Sequence, residues 1–161
     1  DDVAALEIHD PYPPVVIPAF PVLKLYPDAL MPGAESNDKD FQISPYLEKK
    51  GRYITHGFSQ SPLPLSRIYI LDEGGSTAVE SLPPREGFFE LVRHSFAARW
   101  LPSSPPDPTH FVQCAKIANA VPICRLRRKR SLSILPTLIR RIEEDLAGPD
   151  CNERVIAQQA I

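Results

Sequence analysis

Cysteine is scarce in this chain. Cys114, Cys124 and Cys151 are the three present. The number is odd and no C-x-x-C pair occurs, which excludes the disulfide framework of a small secreted domain and predicts free thiols in a reducing compartment. His94 and His110 do not complete a closely spaced zinc set with them. No uninterrupted apolar run approaches about 18 residues, so no membrane-spanning helix is expected. The first residues carry neither the basic stretch nor the apolar run of a secretion signal, and a cytoplasmic location is the expectation. An excess of one charge is missing too. The formal net charge is −2 and the pI is about 6.1, so no global field draws the chain to nucleic acid or to an anionic membrane. A G-x-S-x-G elbow and a Ser-His-Asp order are both absent, and a hydrolase gains no support. The phosphate-cradling loop G-x-x-x-x-G-K-[ST] is absent as well. The one glycine pair, Gly74-Gly75, is followed by neither the lysine nor a helix pattern.

What is present describes an ordinary globular chain. The 161 residues are 43% apolar and 24% charged, enough to bury a real core in one domain or one large piece of a domain. Proline is abundant at 19 residues. The prolines gather in residues 11–32, 62–84 and 102–108, where they punctuate elements without a repeating pattern. Asp1-Asp2-Val3 opens the chain without a methionine, and a segment of a longer protein is expected from that.

Residues 3–8 read as a short buried strand stopped by Pro11, Pro13 and Pro14. Residues 15–17 and 22–26 read as two more, and residues 34–40 as a loop or a helical turn. Residues 46–58 read as a basic loop leading into a strand at 53–55. Residues 65–71 are the clearest strand, β-branched and aromatic at Ile68, Tyr69 and Ile70. Glu73-Gly74-Gly75 then predicts a hairpin with residues 78–82. Pro84 suits the first position of a helix running to about Trp100, with Phe88, Phe89, Leu91, Val92 and Phe96 on one broad face. A second helix is predicted over 108–120 with Phe111, Val112, Ala115 and Ala118 inward. A strand follows at 122–126. A third helix is predicted over 133–147, capped by Ser133 and released at Gly148, with Leu135, Leu138, Ile139, Ile142 and Leu146 at helical spacing. The fold class is therefore α/β: a mixed β-sheet with helices packed on it. Residues 1–148 form the domain and residues 149–161 a tail.

Read in order, five segments resemble the carboxy-terminal half of the HPr serine kinase-related group, whose fold is shared with phosphoenolpyruvate carboxykinase. They are Asp1-Asp2 with the strand after it; residues 18–28 (PAFPVLKLYPD), similar to a proline-bounded P-x-x-P-x-L-x-L-W-P-D segment; residues 64–71 (PLSRIYIL); residues 91–96 (LVRHSF); and residues 121–126 (VPICRL) with the terminal helix. Their order and spacing carry the likeness, which spans nearly residues 1–147. It implies a nucleotide-binding domain cut after its phosphate loop. An R-P-G-R-N signature of the bifunctional HPr enzymes is not found, so the likeness is to the wider kinase-like group. By this resemblance the intact protein moves the γ-phosphoryl of ATP to a serine on a protein or peptide with magnesium (Mg2+), and the present segment alone is inactive. The alternative is a non-enzymatic regulatory or binding module that keeps the fold without the nucleotide loop.

Asp1 and Asp2 are the catalytic and metal candidates. One carboxylate can hold magnesium while the other takes the proton of the attacking hydroxyl. Neighbouring strand residues point to opposite sides, so both aspartates facing one metal requires local twist at a strand end. Lys24, Lys49, Lys50, Arg52 and Arg93 are the phosphate- or substrate-binding candidates. For Lys49, Lys50 and Arg52 a solvated loop is the competing reading; for Lys24 it is an edge-strand lysine, and for Arg93 and His94 a helix-surface pair. The run Arg125-Leu126-Arg127-Arg128-Lys129-Arg130 holds five cations in six residues. It lacks interleaved aromatics and a nucleic-acid motif, and reads as a solvated connector. Uncovered apolar edges of a cut sheet would favour self-association.

Overall fold

In the computed structural model the described residues are 3–29, 40–54, 56–96 and 108–148. They form an α/β structure of three small sheets and three α-helices. The described residues of Asp1–Glu7 and Val15–Leu63 make one compact unit. Those of Ile8–Pro14 and Pro64–Ile161 make the other. The single mixed sheet read from the sequence is thus replaced by three separate ones.

In the first unit, β1 (Ala5–Glu7) and β2 (Val15–Ile17) pair antiparallel, with Leu6 opposite Val16. A second sheet has the order β3-β5-β4, all antiparallel: β3 is Val22–Leu25, β4 Asp40–Gln42 and β5 Lys50–Tyr53. β5 begins three residues earlier than the strand read at 53–55. The stretch read as a basic loop therefore puts Lys50 and Arg52 inside a strand. Gly51 is what allows this. A Cβ there would lie 2.4 Å from Cζ of Phe41, whose ring covers the position and stacks on Tyr53 at 4.9 Å between centroids. β6 (Leu63–Pro64) lies where the chain passes from one unit to the other.

The second unit is built on β7 (Ile68–Glu73), β8 (Ala78–Ser81) and β9 (Ile123–Arg128). The hairpin predicted between β7 and β8 does not form. β9 inserts between them, parallel to β7 and antiparallel to β8. The physical reason lies in composition. Ile123, Cys124 and Leu126 are 2%, 0% and 1% exposed, so β9 is the strand that gains most from the centre, where both faces are covered. Full burial of one such side chain is worth about 1.5–3 kcal/mol.

Helix α1 (Pro84–His94) starts on Pro84 as expected. It stops six residues before Trp100, because Ser95 turns to extended backbone while its N–H still reaches the Leu91 carbonyl. Phe88 and Leu91 pack on the core of Leu82, Ala118 and Ile123. Phe89 and Phe96 do not. Both are more than half exposed, which corrects the single broad face. α1 sits close to the sheet at Gly87, where a Cβ would lie 2.8 Å from Cδ1 of Ile123. Helix α2 (Pro108–Ala120) has the predicted bounds. Its buried side chains are Cys114, Ile117 and Ala118, and Val112 faces outward at 53% exposure.

The third helix is preceded by a 3-10 turn, Leu132–Ile134. Ser133 does not cap the helix: Ser131 caps the 3-10 turn, its side chain accepting from the Ser133 N–H, and the helix itself starts without a side-chain cap. α3 (Leu135–Ala147) follows, and Gly148 leaves it in extended conformation without a left-handed turn. α3 is strongly amphipathic, yet none of its residues is fully buried. Leu135, Ile139 and Leu146 remain exposed. Among the described residues no helix is long and apolar enough to cross a membrane.

Candidate functional site

The structure divides the sequence-derived candidates. Asp1 and Asp2 lie outside the described residues. Lys24, Lys49, Lys50 and Arg52 belong to the first unit, and Arg93 to the second.

In the β3-β5-β4 sheet the register decides which cations share a face. Leu25 is opposite Lys50 and Leu23 opposite Arg52, whereas Lys24 is opposite Gly51. Side chains alternate across a strand, so Lys50 and Arg52 lie on one face and Lys24 on the other with Phe41. Arg52 is engaged. Its Nε and Nη2 donate to the two carboxylate oxygens of Asp40 at 2.7 and 3.0 Å, a fork-to-fork pair. The Arg52 hydrogen bond holds the Asp40 carboxyl below the usual carboxylate range, against desolvation and with help from the charges of Arg52 and Lys50. The same bond raises the Arg52 guanidinium. Lys49 sits over the Tyr26 ring, 4.8 Å from its centroid. Lys50 is exposed. The basic cluster is thus one paired arginine, one lysine on an aromatic face and one solvated lysine.

In the second unit Arg93 is on the outer surface of α1, 3.2 Å from Glu90, with His94 Nε2 at 3.6 Å from the same carboxylate. Glu90 is the hub. Its side chain is 12% exposed, and it also meets Arg125 of β9 at 3.4 Å. The ion pairs continue across the sheet. Arg125 and Arg127 approach Asp72 of β7 at 3.9 and 4.0 Å, and Arg127 reaches Glu80 of β8 at 3.0 Å. Of the five cations of the basic run, Arg125, Arg127 and Arg128 are strand residues, and the first two are countered by acids. The run is not wholly a connector, because β9 extends two residues past the predicted end. The acids Asp72, Glu80 and Glu90 were missed as partners. Strand pairing brings Asp72 and Glu80 to the arginines, and α1 brings Glu90 to Arg125; at 72, 80 and 90 they have no common spacing.

Two further groups stood outside the sequence reading. Cys114 Sγ lies 3.7 Å from His110 Nε2, which lies 3.1 Å from Ser95 Oγ. Ser95 Oγ donates to the Val92 carbonyl at 3.0 Å, so the ring nitrogen is the donor toward it. Burial pushes the Cys114 thiol up. A serine whose proton is committed to a carbonyl and a thiol held protonated make a closure of α1 onto α2, not a nucleophile and its base. The second group borders a cleft of about 420 Å³ beside α2, walled by Ile8, Pro14, Val112 and Ala115. Lys116 and Asp10 pair at its edge. Neither residue stood out in the sequence: Asp10 lies just before the prolines read as ending the strand at 3–8, and Lys116 lies within the helix read over 108–120.

Among the described residues no three His, Cys, Asp or Glu side chains are grouped to hold a metal ion. No protein-family model matches the chain, and neither the curated proteins nor the solved structures compared with it give a match.

Proposed function

We propose that this chain is part of a kinase-like domain that transfers the γ-phosphoryl of ATP to a serine hydroxyl, with magnesium. The observation that carries the reading is the ordered run of five kinase-related segments. The described members fall on regular elements of an α/β structure: 18–28 around β3, 64–71 leading into β7, 91–96 at the end of α1, and 121–126 leading into β9. A parallel β7–β9 pair with helices between them in sequence fits a nucleotide-binding α/β frame.

In this reading Asp1 and Asp2 supply the hard oxygen ligands that magnesium takes, and one of them orients or deprotonates the hydroxyl. Lys24 or Lys50 supplies a cation for a phosphate. Arg52 is the weaker candidate, because binding a phosphate would require it to leave Asp40. Arg93 would likewise have to leave Glu90, though its side chain is 69% exposed and the pair is weak.

The phosphate loop is not in these 161 residues, so γ-phosphoryl transfer by this chain alone is expected at background. The reading is tested by the coding sequence before Asp1. An in-frame G-x-x-x-x-G-K-[ST] loop supports it. A start codon at that position overturns it and leaves the non-enzymatic binding module. In a polypeptide that carries the loop, Asp1→Asn or Asp2→Asn should lower magnesium-dependent transfer by about a hundredfold or more. Unchanged transfer in both variants would remove the catalytic assignment.

A further inference from the structure

The end of β9 carries charge that the phosphoryl-transfer reading does not use. Arg125 and Arg127 are countered by Glu90, Asp72 and Glu80. The next three residues, Arg128, Lys129 and Arg130, have no carboxylate within 4 Å among the described residues. Arg128 is half-buried, and Lys129 and Arg130 are exposed. The fold fixes where they stand. The Gly74 N–H donates to the Arg128 carbonyl at 3.0 Å, which ties the strip to the exit of β7. The chain then enters the 3-10 turn and α3, whose amino-terminal end adds partial positive charge.

Adjacent like charges repel, and the chain does offset such charges two residues earlier. Leaving three cations together makes a local positive strip on a molecule whose net charge is −2. That overall charge gives a long polyanion no general attraction, while a short anionic segment needs only the strip. Residues 125–134 hold no aromatic side chain on which a base could stack. The strip is three consecutive residues at the strand's end, where the chain bends at Arg130 and the Ser131 N–H donates to the Lys129 carbonyl at 3.0 Å; its size suits a few residues of peptide.

We propose that Arg128, Lys129 and Arg130 form a docking strip for an acidic segment of a partner protein. The proposal does not rest on the kinase reading, since it needs neither nucleotide nor Asp1 and Asp2. The test is fluorescence anisotropy of a labelled glutamate-rich peptide against the unmodified 161-residue chain, beside the same peptide with glutamine for glutamate. The glutamate peptide is expected to bind and the glutamine peptide not to bind. Raising salt from about 50 to about 300 mM should weaken binding about tenfold. The combined variant Arg128→Gln, Lys129→Gln, Arg130→Gln should lose at least about tenfold, while Arg127→Gln, whose charge is already countered, should stay within about twofold. Should the combined variant lose its native circular dichroism, Lys129→Gln alone should weaken binding about two- to threefold. Equal binding by the two peptides, unchanged binding in the variants, no binding at low salt, or tighter binding of a single-stranded RNA of equal charge would each overturn the proposal.

Discussion

Arg67 and Asp145, 78 residues apart, are joined twice through one guanidinium nitrogen: Nη1 donates to the Asp145 main-chain carbonyl at 2.9 Å and to its carboxylate. The side chains are only 4% and 8% exposed. Tyr69 Oη donates to the same carboxylate oxygen at 2.7 Å. This is how α3 is held to the sheet although none of its apolar residues is fully buried. The bond to a carbonyl in the last turn also satisfies a group that a helix end leaves open.

Breaking that pair from one side should be costly. Asp145→Ala leaves a buried guanidinium and takes the acceptor from Tyr69. The expected loss is about 3–5 kcal/mol. Urea unfolding followed by far-ultraviolet circular dichroism measures it. The double variant Arg67→Met, Asp145→Leu should recover a substantial part, because neither buried charge is then left alone.

Tyr69 makes alkaline stability a second readout. Burial first, and then the hydrogen bond to Asp145, raise its phenol well above the ordinary value. A group raised in the folded state contributes stability that is complete below its unfolded pKa, about 10, and that is lost as pH rises through the folded value. Unfolding midpoints should therefore fall as pH climbs past about 10. Tyr69→Phe should flatten that part of the decline and cost about 1 kcal/mol at neutral pH. Equal alkaline slopes in the two proteins would count against the assignment.

Asp40 predicts the opposite edge of the pH range. Its carboxyl is lowered by Arg52, so its contribution is present above the unfolded pKa of about 4 and fades as pH falls through the lower folded value. Asp40→Asn should be less stable than the parent at neutral pH, and the gap should close in acid. Denaturant midpoints from neutral to strongly acidic solution test this; a gap independent of pH would contradict it.

Gly51 should tolerate no side chain. In Gly51→Ala the new methyl meets three atoms of the Phe41 ring within 2.7 Å. The ring must leave Tyr53 or the strands must part, at a cost of about 1–3 kcal/mol. Adding Phe41→Leu should return some of the loss. Thermal unfolding of the single and double variants separates the outcomes.

The thiols give a simple check of the core. Cys114 and Cys124 are buried, and the Cys114 thiol is raised by burial. In a Cys151→Ser variant both should react slowly with a thiol reagent in native buffer and fully in denaturant. Rapid native labelling of either one would place it nearer the surface than the structure does.

The local rules read from the chain were dependable where one element sufficed. Pro84 starts α1, the bounds of α2 match, and Val15, Val16 and Ile17 form β2, since proline geometry and apolar spacing act within a few residues. The pairing of strands was not legible. Gly74-Gly75 is good turn chemistry, yet β9 takes the place beside β7 because burying Ile123, Cys124 and Leu126 outweighs a short local hairpin. The same limit applied to the candidate site. Lys49, Lys50 and Arg52 are adjacent in sequence, but the two-residue strand repeat and Asp40 assign them three different surroundings.

By itself the sequence determined the α/β class, the positions of most elements, the want of a phosphate loop and the excess of cations near residue 127. The tertiary structure decided which cations are neutralised, which strand is central and what fastens α3. The reason is range. Propensity and periodicity act over a few residues, whereas Arg67 meets Asp145 and Arg125 meets Glu90 only because burial brings distant segments of the chain together.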